Sequence, residues 1–432
     1  MTLTNTHNSR INTIIAILFG CFFCVNFYLN FSRVRDTNFV DLRNRVTGSR
    51  LMAMNKLPYF FKWDSTKPET LRDPFDVCNI KNNMTTSPPS VLWLMQPLVK
   101  LDYNSICAWW IVLHYLLLPL IVIPLYSICK SSKGKNLVLL AAAALMLSDH
   151  WRDSVFRGQS HIVLPALLSV SLWLFYSKLR YRFLIAGIVL AISVWIRPNA
   201  LLIVPFLLCC REINIKQLLV GFCGTGTILV AMTLLLHQEL YWYDFYLSCK
   251  EWLHNNTIDI QNDYCHYVVK LEGKVVMMEF IPNPVRWQTE FYSLQFFVKK
   301  YLHLSIDYTY YNLFFLVTYF IALAICFKKK IVSIAHAVLA GILLYWFSEF
   351  TTPIMKACYY YVELFVVVLL LVGRYKELTL AEKMLLTLSF ILPFLKPLPL
   401  NMVSAELCTV LCLTLYLFRK IIFRKKQGTN VS

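Results

Sequence analysis

Two acids, Asp36 and Asp41, lie in a segment that otherwise carries Arg33, Arg35, Arg43, Arg45 and Arg50. A carboxylate kept ionised among guanidinium groups suits a general base that takes the proton of an attacking hydroxyl. The plainer alternative is that both acids are simply neutralised by their neighbours. A second cluster, SDHWRDSVFRGQSH at 148–161, gathers Asp149, His150, Arg152, Asp153, Arg157, Gln159 and His161 between two apolar runs. So dense a polar tip does not suit contact with lipid. Guanidinium groups match phosphate oxygens in pairs, so Arg152 and Arg157 are candidates for holding a phosphate, unless the turn is internally paired. Arg197, in WIRPNAL, stands in an apolar stretch, where an arginine faces a cavity or a partner, or snorkels to an interface. Lys356, in SEFTTPIMKACYYY (348–361), is a fourth phosphate candidate, its alternative being an interfacial lysine beside an aromatic belt. No CxxC or Cys/His ligand spacing is present, and the His and Asp residues of 148–161 lack flanking ligands. Neither a metal nor a cofactor is expected.

These groups need elements to hold them, and the composition says of what kind. Of the 432 residues, 58% are hydrophobic and 15% charged, and the mean hydropathy is +0.55. Such a chain is an all-α polytopic membrane protein, since apolar runs at 12–31, 217–236 and 402–418 suffice to cross a hydrocarbon core. The first run lacks a small-residue cleavage site and reads as a retained anchor. A net charge of +18 then reflects basic connectors and anionic lipid rather than nucleic acid. The short basic connectors at 129–135, 177–182, 211–216, 328–330, 374–376 and 419–426 belong on one, cytoplasmic, side. Even numbers of crossings between them give ten to twelve membrane segments in a single domain spanning 1–432. The connectors left for the extracytoplasmic side are 32–103, 149–159, 196–199, 238–306 and 349–355, and the tail 419–432 is cytoplasmic. Every polar cluster named above falls on that extracytoplasmic side. Between 182 and 211 the chain either forms two half-length helices meeting at Arg197-Pro198 or one kinked span. NKLPYFFKW (55–63) reads as the end of an interfacial helix stopped by Pro58, and TTSPPSVLWLMQPL (85–98) as a Pro-Pro break before a short apolar helix. Most of the 14 cysteines lie in apolar runs and act as small hydrophobes, while Cys249 and Cys265 are spaced so that a disulfide is permitted. Asn83 and Asn255 are glycosylation acceptors only in a eukaryotic secretory membrane.

Taken in order, these pieces resemble glycosyltransferase family 87, the polyprenyl-phosphate-mannose-dependent mannosyltransferase-like branch of the GT-C superfamily. The order is "VDL" after the first span, "LPYF", the Pro-Pro loop, "GQSH", Ala186-Gly187, Arg197-Pro198 and "TTPIMKACYYY". The likeness runs over roughly residues 10 to 375. It implies a GT-C fold, a sugar donor carried on a polyprenyl phosphate, and a glycan or glycolipid acceptor. The sugar is expected to be a hexose such as mannose, transferred with inversion at the extracytoplasmic face of a plasma (inner) membrane. Asp41, in the matching "VDL", maps onto the catalytic base, with Asp36 in reserve. Arg152, Arg157, Arg197 and Lys356 would bind the donor phosphate, and Tyr59, Gln159, His161 and Tyr359 the substrate. The family's GQxN is here Gly158-Gln159-Ser160-His161, its Lys-Pro is Arg197-Pro198, and its late His-Tyr is Cys358-Tyr359 or Tyr359-Tyr360. The last departure leaves that histidine's role unassigned and loosens the tie to mannose. The rival readings are an envelope polymerase or ligase using lipid-diphosphate donors, and a flippase or transporter, which would carry paired repeats of broken helices.

Overall fold

The computed structural model describes residues 2–37, 39–72, 82–83, 85–255, 265–271, 274–280, 293–331, 333–352, 358–394 and 401–423. The chain opens with α1 (Thr2–Phe31), α2 (Val40–Ala53), α3 (Pro89–Met95), α4 (Tyr103–Ile128), α5 (Ser132–Leu147), α6 (Asp149–Arg157), α7 (Val163–Tyr176) and α8 (Arg182–Ile196). It continues with α9 (Val204–Leu208), α10 (Ile215–Leu235), α11 (Glu239–Asn255), α12 (Leu294–Leu302), α13 (Tyr308–Lys329), α14 (Ile334–Thr351), α15 (Phe365–Gly373), α16 (Leu380–Ile391) and α17 (Asn401–Leu417). The apolar runs expected at 12–31, 217–236 and 402–418 fall on α1, α10 and α17. Among the described residues the strands are short and local: β1 (Phe61–Lys62) pairs with β2 (Asn82–Asn83), and β3 (Cys265–Leu271) forms a hairpin with β4 (Lys274–Phe280) in the register Cys265↔Phe280.

Among the described residues, five helices are long and apolar enough to cross a bilayer: Ile11–Phe31, α4, α10, α13 and α14. Shorter apolar helices, among them α7, α8 and Tyr359–Gly373, lie between them. Burial sorts these elements. The run FVVVLLLV of α15 is buried on all sides, which is why a β-branched stretch with no polar face is helical there. By contrast α1 exposes Ile14, Ile17, Leu18 and Val25, an apolar face that suits lipid rather than water.

The local sequence explains where elements begin and end. Asp102, Ser131, Asn214 and Asp307 accept hydrogen bonds from the first turns of α4, α5, α10 and α13, and Thr379 and Glu382 form a capping box on α16. The end of α2 differs from expectation. Pro58 does not stop it; Asn55, at φ 55°, takes the left-handed conformation, and the Lys56 N–H reaches back to the Leu51 carbonyl at 2.9 Å. This Schellman closure ends the helix at Ala53, before the proline is reached. At Arg197-Pro198 the helix is broken, into unequal parts. Helix α8 stops at Ile196, a 3-10 turn covers Pro198–Ile203, and α9 adds only five residues. Ile203 of that turn packs on Gly341 of α14, where an added Cβ would come within 2.8 Å of it.

The helices carry the two classes of connector to opposite ends. Helices α4 and α7 finish at Ile128 and Tyr176, and α14 starts after Ser333, all around one cavity that Glu212, Arg374 and Lys376 also line. Arg211 N–H bonds the Ile331 carbonyl at 3.0 Å, and Lys420 pairs with Glu377 at 3.0 Å, so the basic connectors meet there. The far ends of the same helices meet the polar clusters: α7 follows His161, and α14 reaches Tyr345 and Glu349.

Candidate functional site

Helix α2 brings Asp41 to the polar end. Its N-cap residue Phe39 is buried and left-handed (φ 41°), and Asp41 sits in the first turn, where a carboxylate meets the positive end of the helix dipole. Four residues on, on the same face, lies buried Arg45. Opposite them α6 ends at Gly158, at φ 74°. Two demands fall on that glycine: the left-handed backbone, and a close approach to α2, since an added Cβ would collide with Leu42. The close approach sets Gln159 between the two α2 groups. Its Nε2 donates to Asp41 Oδ2, and its Oε1 accepts from Arg45 Nη2 at 2.9 Å. Arg45 also donates from Nε to Ser87 Oγ at 2.7 Å and from Nη1 to the Gly158 carbonyl. One guanidinium thus ties α2 to the Pro-Pro loop and to the α6–α7 turn. Burial lowers the Arg45 pKa, and nearby Asp41 partly offsets this.

Beside this clamp lies a second network. Glu363, in the 3-10 segment Cys358–Leu364, is 5% exposed and holds three partners: His161 Nδ1 at 2.5 Å, Arg197 Nη2 at 3.0 Å and the Tyr345 hydroxyl at 2.6 Å. Arg197 Nε also donates to the Tyr345 hydroxyl at 3.2 Å. A carboxylate on Nδ1 calls for a proton on that nitrogen, leaving the Nε2 lone pair of a neutral His161 as acceptor. Burial and then Arg197 lower the pKa of His161, against the opposing pull of Glu363, so the ring is held neutral. Tyr359 and Tyr360 pack on that ring, with centroids at 5.3 and 4.4 Å, and the Arg157 and Arg197 guanidiniums lie over them at 5.7 and 5.9 Å.

The expected site residues are therefore not all placed together. Asp41, Gln159, His161, Tyr359, Arg157 and Arg197 converge. Arg157 is paired with Asp153 at 2.9 Å; burial works against its charge, but Asp153 and then Tyr359 and Asp41 raise its pKa overall. Asp36 lies in the exposed turn Val34–Asp36. Arg152 pairs with Asp149 at 2.5 Å with half its side chain exposed. Tyr59 packs in a small cluster with Met52 and Leu92, and its hydroxyl donates to the Ser87 carbonyl at 2.9 Å, supporting the loop that Arg45 grips. Lys356 and the Cys265 side chain lie outside the described residues, so neither that phosphate contact nor the Cys249–Cys265 pair can be placed. Among the described residues no group of three His, Cys, Asp or Glu side chains is set to hold a metal.

Glu363, Tyr345 and Ser87 escaped the reading from sequence. For Glu363 a signal existed: it is a lone acid at the head of CYYYVELFVVVLLLVG, and an ionisable group in such a run points to a site.

A model described as glycosyltransferase family 87 matches residues 86–270. The matched span includes Gln159, His161 and Arg197, while Asp41 lies before it and Glu363 after it. No curated protein matches the chain.

Proposed function

From the premise that residues 86–270 match glycosyltransferase family 87, we propose that this membrane glycosyltransferase moves a hexose, such as mannose, from a polyprenyl phosphate to an acceptor hydroxyl. On this reading the helices form a GT-C fold with ten to twelve membrane segments, in the plasma (inner) membrane. The polar end faces the extracytoplasmic side and the basic connectors the cytoplasm, as the distribution of Lys and Arg favours.

The observation that supports it most is the Asp41–Gln159–Arg45 arrangement, with the Arg157 and Arg197 guanidiniums over Tyr359 and Tyr360 beside it. Gln159 holds Asp41 by Oδ2, leaving Oδ1 as the atom that takes the acceptor proton. The acceptor oxygen bonds to the anomeric carbon as the bond from that carbon to the phosphate oxygen breaks. The electron pair of that bond leaves on the polyprenyl phosphate, and the configuration inverts. The growing phosphate charge is met by Arg157 and Arg197, with Lys356 as a further candidate. A phosphate is already a good leaving group, so no strong general acid is needed.

The test is transfer from purified polyprenyl-phosphate hexoses by the native protein and by Asp41→Asn. The base role requires the variant, folded as judged by gel filtration, to lose transfer by roughly two to four orders of magnitude. Full activity in Asp41→Asn would remove Asp41 from the reaction. Transfer from lipid-diphosphate glycans alone would favour the polymerase or ligase reading.

A further inference from the structure

At the end of the bundle opposite Asp41 lies a cavity of about 710 Å³, within the size range of small-ligand sites. Lys130, Arg374 and Lys376 line it, and it borders a second hollow of about 290 Å³ lined by Lys329 and Lys330. The two share Ser333 and His336. The two carboxylates in the larger cavity already serve internal partners. Glu212 accepts the Ile334 N–H at 3.3 Å, and Glu377 accepts from Lys420 at 3.0 Å and from the Tyr416 hydroxyl at 3.2 Å. Lys130, Lys376, Lys329 and Lys330 have no carboxylate partner among the described residues. The wall is not uniformly polar: Ile128, Leu370 and Trp173 also line it, and Trp173, in the last turn of apolar helix α7, is 41% exposed. An indole at that level marks the depth of lipid headgroups.

We propose that this basic cavity binds a phosphate-bearing ligand, separately from the site around Asp41. Unpaired cations, apolar lining residues and an exposed tryptophan together fit the phosphate of a lipid headgroup whose chains leave past Trp173. A free phosphate ester offers the same anion without the chains. Two helices tie the cavity to the opposite end: α14 runs from His336 to Tyr345, and α15 ends at Gly373 after starting next to Glu363. A ligand here therefore braces the elements that position the Glu363 network. The inference does not rest on the transferase reading, and its test involves no catalysis.

The full-length protein is reconstituted in phosphatidylcholine nanodiscs and titrated with dioctanoyl phosphatidic acid, with dioctanoyl phosphatidylcholine and with inorganic phosphate, reading Trp fluorescence and native mass spectra. Phosphatidic acid should bind the native protein, and the double variant Lys130→Gln/Lys376→Gln should weaken binding by at least about tenfold. Lys130→Arg/Lys376→Arg should restore it. Lys178→Gln, on a basic connector outside the cavity, should stay within about twofold. Competition by inorganic phosphate assigns the site to a free phosphate, and its failure to compete assigns the site to a lipid; both support the proposal. Equal losses in Lys178→Gln and the double variant, or equal binding of phosphatidylcholine and phosphatidic acid, overturn it.

Discussion

Glu363 is the residue whose removal the structure answers most sharply. Its carboxylate is buried, accepts hydrogen bonds from His161 and Tyr345 at 2.5 and 2.6 Å, and forms an ion pair with Arg197 at 3.0 Å. Glu363→Ala leaves all three partners behind. Each orphaned buried donor costs about 1–3 kcal/mol, and breaking a buried ion pair costs about 3–5 kcal/mol in total. The Arg197 side chain is 29% exposed, so water recovers part of its loss, which places the expected cost near the lower figure, about 3 kcal/mol. In a chain of this length that corresponds to a fall of roughly 3 °C in apparent melting temperature of the detergent-solubilised protein. Glu363→Gln keeps one acceptor oxygen and should fall between native and alanine. The reading also requires coupling. With Arg197→Gln already present, Glu363→Gln should cost about 1 kcal/mol less than it does alone, because no unpaired guanidinium is then left. Glu363→Ala that melts within about 1 °C of the native protein would refute the network as a source of stability.

Four further outcomes follow from the same geometry. Asp36→Asn should retain transfer within about threefold while Asp41→Asn loses two to four orders of magnitude, since Asp36 sits in an exposed turn; reversed effects in a transfer assay would exchange their roles. Arg45→Lys keeps the charge but cannot reach Ser87, Gly158 and Gln159 at once, so a loss of about 1–3 kcal/mol in melting experiments is expected, together with a lower kcat. Gly158→Ala meets both a left-handed backbone and Leu42, and should cost at least about 1 kcal/mol and loosen Asp41, read as reduced kcat at unchanged expression. His161 sets a pH dependence. Its pKa is lowered in the folded state, so the unfolded chain takes up a proton near the ordinary value of about 6.5 that the folded protein refuses. Stability is therefore full above that pH and declines as pH falls below it, and His161→Gln should flatten the slope in melting curves taken from pH 7.5 to 5.5.

What the sequence revealed depended on whether a signal was local. Apolar length marked helices because the bilayer requirement acts on each segment alone, and the runs 12–31, 217–236 and 402–418 fall on α1, α10 and α17. The end of α2 was misjudged because two terminators compete there; Asn55 closes the helix by its own hydrogen bonds before Pro58 is reached. The pairings of Arg152 and Arg157 with Asp149 and Asp153 are three and four residues apart, so the alternative of an internally paired turn was legible at helical spacing. What could not be read was the contact between distant segments. Gln159 lies 118 residues from Asp41, and His161 lies 202 residues from Glu363. No periodicity specifies such contacts; the packing of α6 against α2 at Gly158 sets the first, and the packing of the 3-10 segment Cys358–Leu364 against α6 and α7 sets the second.

That packing also explains why Asp41 sits among so many arginines without being cancelled by them. Arg45 donates to Ser87, Gly158 and Gln159, and Arg50 donates to the carbonyls of Val99, Thr70 and Leu101 at 3.1, 2.5 and 2.9 Å. Arg33 and Arg35 lie exposed. Arg45 and Arg50 act on backbone, hydroxyl and amide acceptors, tying the loops to α2, while the carboxylate is held by a neutral amide. A neutral donor orients the carboxylate without pairing it to a cation. Replacing Gln159 by Glu tests this division: it sets a second carboxylate against Asp41 while keeping the shape. Like charges this close favour a shared proton, so the base would be partly protonated and transfer should shift to higher pH. An unchanged pH–rate profile in Gln159→Glu would mean that Asp41 is not the group whose ionisation the reaction follows.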